Sequence, residues 1–115
     1  MTQTSPSPGG LSISSSVEGG VASLALRGEL DLAGAPLLER TLLELERQAP
    51  SMLVVDLGAL QFIDSTGLRL LLAANTRAQK RGGELVLRPG DANVQRVFDV
   101  TGALEVLRFE DAVGR

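Results

Sequence analysis

The stretch Val54-Val55-Asp56-Leu57-Gly58-Ala59-Leu60-Gln61-Phe62-Ile63-Asp64-Ser65-Thr66-Gly67-Leu68 decides how this chain folds. The run Met52 to Leu57 that opens it is short, apolar and rich in β-branched residues, which reads as a strand. No polar alternation interrupts that run, so it is expected to be a central strand buried on both faces or nearly so. From Leu68 onward apolar residues recur at helical spacing, and the helix is expected over Ser65 to Arg81, ended by Gly82-Gly83. Ser65 therefore stands where a strand gives way to a helix.

Working toward the N-terminus, Leu38, Leu42, Leu45 and Ala49 recur at steps of four and three, giving a helix over Ala33 to Gln48 with Pro36 in its first turn. Before it, Leu11, Ile13 and Val17 read as one strand and Val21, Leu24 and Leu26 as another, joined at Gly19-Gly20 into an antiparallel hairpin. Met1 to Gly10 is rich in Ser, Thr, Pro and Gly and is expected to be a flexible tail, leaving residues 11–115 as one domain.

Toward the C-terminus, Glu84 to Arg88 is a strand and Pro89-Gly90 a turn. Asp91 then caps a helix with Val94, Val97, Phe98 and Thr101 inward, stopped by Gly102. Val106 to Phe109 is expected to add a short edge strand. Two strands followed by alternating helices and strands imply an α/β fold. In it, an N-terminal antiparallel hairpin leads into parallel βαβ units with right-handed crossovers.

Composition removes several functions. At 115 residues the chain can bury one core without staples. It has neither cysteine nor histidine, so the thiolate nucleophile, the usual metal ligand and the usual general base are all missing. Lys80 is the only lysine and lies several helical turns from Ser65, which disfavours a serine hydrolase. A net charge of −3 with dispersed Arg and Lys argues against a nucleic-acid binder, as does the lack of Trp and Tyr as stacking platforms. There is no Walker-type loop, no apolar run near the length of a membrane span and no secretory signal. A cytoplasmic protein without enzymatic activity, metal or cofactor is the expectation.

Four stretches together carry a family resemblance: Gly28-Glu29-Leu30-Asp31, Asp64-Ser65-Thr66-Gly67-Leu68, Gly82-Gly83-Glu84-Leu85-Val86-Leu87 and Val97-Phe98-Asp99-Val100-Thr101-Gly102. In this order they resemble the STAS domains of bacterial anti-sigma factor antagonists, over nearly the whole chain. The resemblance implies a small mixed sheet of four to five strands with helices packed mainly on one face. It also implies a partner-switching role in transcription regulation and stress response. The unphosphorylated form would bind an anti-sigma factor that is also a serine kinase, freeing a sigma factor. Phosphorylation of Ser65 would switch it off, and a serine phosphatase would reset it. The alternative from another class is a STAS accessory or scaffold subunit of a lipid-transport or stress-signalling complex.

Read as residues, each site candidate has a plainer role beside the functional one. Either Ser65 or Asp64 can cap the helix, leaving the other group free. Thr66 reads as an ordinary first-turn residue or a second hydroxyl of the site. Gly67 allows close approach of either a partner or the protein's own core. Leu68 reads as core. Arg69, one turn after Ser65 on the same face, is a solvated arginine or a pairing group for a partner carboxylate or the phosphate. Glu29 and Asp31 precede the first helix, where Asp31 is a natural turn residue. By resemblance this loop lies beside Ser65 and joins the partner-binding surface of Glu29, Asp31, Asp64, Ser65, Thr66, Gly67, Leu68 and Arg69. Gly34 departs from the larger residue common in relatives.

Overall fold

Alternation explains most of the sheet. Leu11 and Ile13 on one strand, Ala22, Leu24, Leu26 and Leu30 on the next, then Leu53, Val55 and Leu57, then Leu85 and Leu87, are all buried in one core. Because side chains alternate along a strand, each of these rows faces the same side. The computed structural model of the chain describes residues 2–6 and 10–110, and in it the rows lie in register: Ile13 opposite Leu26, Leu24 opposite Val55, Val55 opposite Leu87.

The strands are Thr2–Pro6 (β1), Leu11–Glu18 (β2), Val21–Leu30 (β3), Met52–Ile63 (β4), Glu84–Arg88 (β5) and Arg108–Phe109 (β6). They stand in chain order across one sheet, antiparallel from β1 to β3 and parallel from β3 to β6. Helices Ala35–Glu46 (α1), Ser65–Lys80 (α2) and Ala92–Thr101 (α3) make the crossovers, with a 3-10 turn at Ala103–Glu105 before β6. Right-handed crossovers that step always the same way across a sheet put every helix on one face. Accordingly Leu38 and Leu42 of α1, Leu71 and Ala74 of α2, and Val94 and Phe98 of α3 join the single core. Phe98 and Phe109 meet edge to face with centroids 5.1 Å apart, fixing α3 against β6. The last residue of α1, Glu46, is held by Arg77 of α2 in a two-pronged contact of 2.6 and 2.9 Å. This hydrogen bonding holds the Arg77 guanidinium above its ordinary value.

Three expectations need correction. Residues 2–6 pair as an outer strand where a tail was expected, added to the five strands of the expected mixed sheet. Backbone pairing with the open edge of β2, from Thr2 opposite Ser16 to Pro6 opposite Ser12, holds them without any apolar pattern. The second correction is the length of β4, which runs on past Leu57 to Ile63. Its inward residues after Leu57 are Leu60 and Ile63, each a step of three rather than two. Each step carries one extra residue, matching the register shifts of β4 against β3 between Ala25 and Arg27 and between Gly28 and Glu29. These are β-bulges, which break the period on which a strand is read.

The third correction concerns the burial of β4. Val54 is buried on the face away from the helices, but Asp56 on that face is half-exposed and lies 3.8 Å from Arg88.

Candidate functional site

Parallel pairing of β3 with β4 brings Leu30 opposite Ile63, so the residues that follow both strands emerge side by side at one end of the sheet. Crevices beyond the carboxyl ends of parallel strands are where α/β folds place their sites. The Asp64 N–H donates to the Leu30 carbonyl at 3.1 Å, tying the start of α2 to the end of β3.

The capping question resolves in favour of Asp64. Its backbone is extended, with φ −111° and ψ −175°, and its Oδ1 accepts the Gly67 N–H at 3.0 Å. Its carbonyl accepts the Leu68 N–H at 3.0 Å, opening the helix. Ser65 is thereby the first helical residue. Its side chain is exposed, and nothing among the described residues holds its hydroxyl. The first-turn N–H groups have no intrahelical partners, and with the helix dipole they make this a position that favours negative charge.

Gly67 and Leu68 are buried. A Cβ on Gly67 would stand 2.5 Å from Leu30 Cγ and 2.7 Å from its Cδ2, so this glycine lets α2 settle onto β3. Both residues shape the site from beneath rather than presenting a surface. Thr66 is half-buried, while Arg69 is exposed one turn beyond Ser65 and forms no ion pair among the described residues.

The loop between β3 and α1 closes the other side. Asp31 Oδ1 accepts the Gly34 N–H at 3.1 Å and its carbonyl accepts the Ala35 N–H at 2.9 Å, so Asp31 builds the turn that launches α1. Gly34 itself is buried, and a Cβ there would meet Leu11 Cβ at 3.0 Å and the Glu29 carbonyl at 3.3 Å. That crowding explains the small residue at this rim. Glu29 is exposed and lies opposite Phe62 in the β3–β4 register.

Two residues at this end escaped the sequence reading. Leu32 is 72% exposed and Phe62 is 48% exposed, flanking the serine with apolar surface. Leu32 directly follows Asp31 in the loop, off the helical phase, which was its only signal. Phe62 follows the second bulge, which turns it outward. Among the described residues no three Asp or Glu side chains gather so as to hold a metal ion. None of the described helices is long and apolar enough to cross a membrane.

Residues 12–115 match the STAS domain family, and the chain belongs to it. It is similar to the anti-sigma-F factor antagonist RsfB of Mycobacterium tuberculosis, with 36% identity over 70 residues covering 61% of this chain and 57% of that one. The match thus spans little more than half the length of that relative. Against the anti-sigma-B factor antagonist of Bacillus subtilis the identity is 30% over 82 residues, covering 71% of this chain and 74% of the other. The fold is similar to the crystal structure of an anti-sigma factor antagonist from Mycobacterium paratuberculosis, with a TM-score of 0.81, 26% identity, and coverage of 91% and 89%.

Proposed function

We propose that this protein is a cytoplasmic anti-sigma factor antagonist. Its unphosphorylated form binds an anti-sigma factor that is also a serine kinase, thereby freeing a sigma factor. Phosphorylation of Ser65 ends that binding, and a serine phosphatase restores it. The observation that carries the reading is the position of Ser65: exposed, unheld, and first in a helix already capped by Asp64. Such a hydroxyl can be modified without breaking any contact that the fold uses. The names of the relatives supply the kind of partner.

A phosphoserine carries about −1.5 to −2 charges near neutral pH, and a helix N-terminus favours an anion by roughly 0.3–1 kcal/mol. Repulsion from Asp64 offsets part of this gain. The fold is therefore unchanged while the surface is not. At an interface an unpaired buried charge costs about 3–5 kcal/mol, which is two to four orders of magnitude in affinity. The contact surface comprises Glu29, Asp31, Asp64, Ser65, Thr66 and Arg69, with Leu32 and Phe62 as its apolar anchors and Gly67 and Leu68 as its support. In this scheme the protein is a substrate of phosphoryl transfer, not its catalyst.

The test is incubation with the candidate kinase, Mg and ATP, locating the phosphate by mass spectrometry, followed by titration calorimetry against the anti-sigma factor. Ser65→Ala is expected to bind as wild type and to take up no phosphate, while Ser65→Asp loses at least ~100-fold in affinity. Equal binding by Ser65→Asp and wild type would sink the electrostatic switch.

A further inference from the structure

The end of the sheet opposite Ser65 carries a cleft of about 420 Å³ between the second half of α2 and the beginnings of β5 and β6. Its walls include Asn75 and Gln79 of α2, Gly83 and Leu85 at the start of β5, and Val106 and Arg108 at the start of β6. Sites for small molecules occupy roughly 300–1,000 Å³, so the opening is large enough for one.

Asn75 distinguishes this cleft from an ordinary groove. The residue is only 5% exposed and sits among the buried positions of α2, between Ala74 and Ala78. Its carboxamide nevertheless has no hydrogen-bond partner among the described residues. Among those residues no fully enclosed side-chain nitrogen or oxygen is left unpaired, so the Asn75 carboxamide is not sealed in the core but opens on the cleft. An amide that opens on a cleft without an intramolecular partner is satisfied by whatever fills the cleft, solvent or an occupant.

The surroundings define what would satisfy it. A carboxamide presents an acceptor and a donor side by side in one plane, the complement of another cis-amide edge. Gln79 lies one helical turn further on the same flank and offers a second such group. The 60% exposed Val106 supplies apolar wall, and the Arg108 guanidinium at the rim is already paired with Glu84. That pairing leaves the cleft without a free charge to attract an ion.

We propose that this cleft binds a small uncharged molecule with a cis-amide edge, of the kind carried by a lactam or a cyclic imide. The edge pairs with Asn75 and the body of the molecule lies against Val106. Asn75 is ten residues from Ser65 on α2, about 15 Å along the helix axis, so the occupant does not touch the serine.

The test is an NMR titration of the full chain with 2-piperidone and with succinimide, using N-methyl-2-piperidone as the control that lacks the donor. Saturable shifts of the Asn75 side-chain amide and of the Gly83 and Val106 backbone amides are expected at millimolar concentration, and none with the control. Response to 2-piperidone alone assigns the site to lactams, and response to succinimide alone to imides. Asn75→Leu should lose at least tenfold in affinity with its melting temperature unchanged or raised, and Gln79→Met, on the exposed flank, should lose severalfold. The proposal is overturned if neither probe shifts Asn75, if the methylated control acts equally, or if Asn75→Leu lowers the melting temperature.

Discussion

Helices α2 and α3 begin alike. Asp64 and Asp91 both sit in extended backbone, and each accepts the N–H of the residue three positions on, Gly67 at 3.0 Å and Val94 at 2.9 Å. The residue at that third position separates them. In α3 it is Val94, wholly buried, which fills the space between helix and sheet. In α2 it is Gly67, and Leu30 of β3 occupies the space that a side chain would need. The next residue after each cap differs in the same sense: Ala92 has nothing to modify, whereas Ser65 carries an exposed hydroxyl. Identical capping thus serves anchoring in one helix. In the other it holds a group at the surface while the backbone beneath is pulled tight.

Substitutions at matched positions can break or sharpen this contrast. The largest effect is expected from Val94→Ala, which leaves a cavity and should cost about 2 kcal/mol in urea unfolding. Gly67→Ala acts in the opposite way, by overpacking against Leu30. Alanine is the better helix former by up to about 1 kcal/mol, but the clash prevails and a net loss of about 1–2 kcal/mol is expected. In a Leu30→Ala background that penalty should vanish or reverse, and an undiminished penalty would show that Leu30 is not the obstacle. Asp64→Ala and Asp91→Ala should each cost about 1 kcal/mol by the same measurement, since the two caps have the same geometry. A much larger loss for one would mean that its carboxylate does more than cap. Ser65→Ala should change stability least, within about 0.5 kcal/mol, because its hydroxyl holds nothing.

Much of this was readable from residues. Helix limits came out within a residue or two, because Pro36, Gly82-Gly83 and the Asp91 and Gly102 pair are local signals. The inward rows of β2 and β3 were readable because their alternation is unbroken. The distal half of β4 was not, since each bulge inserts a residue that shifts the period, and the strand then reads as ending at Leu57. At the site, the choice between Asp64 and Ser65 as cap could not be made from sequence, since both side chains suit that position and only backbone geometry selects one. Leu32 and Phe62 were missed because hydropathy reports what a side chain prefers, not what covers it. Asn75 was passed over for a related reason: helical spacing marks the inner face, but not where that face meets an opening. The pairing of residues 2–6 rests on backbone hydrogen bonds, which leave no trace in an apolar pattern.

The order β1 to β6 across the sheet has a consequence for how the molecule comes apart. Every strand lies beside its neighbours in the chain, but each parallel pairing must close a crossover of about twenty residues before it forms, which slows assembly. Opening can proceed from the two outer strands inward without crossing the middle. The β3–β4 pair, flanked on both sides, is then the last to exchange its amide hydrogens. The residues that follow it, Asp31 and Asp64, inherit that persistence, and Ser65 is presented from the slowest-opening part of the sheet.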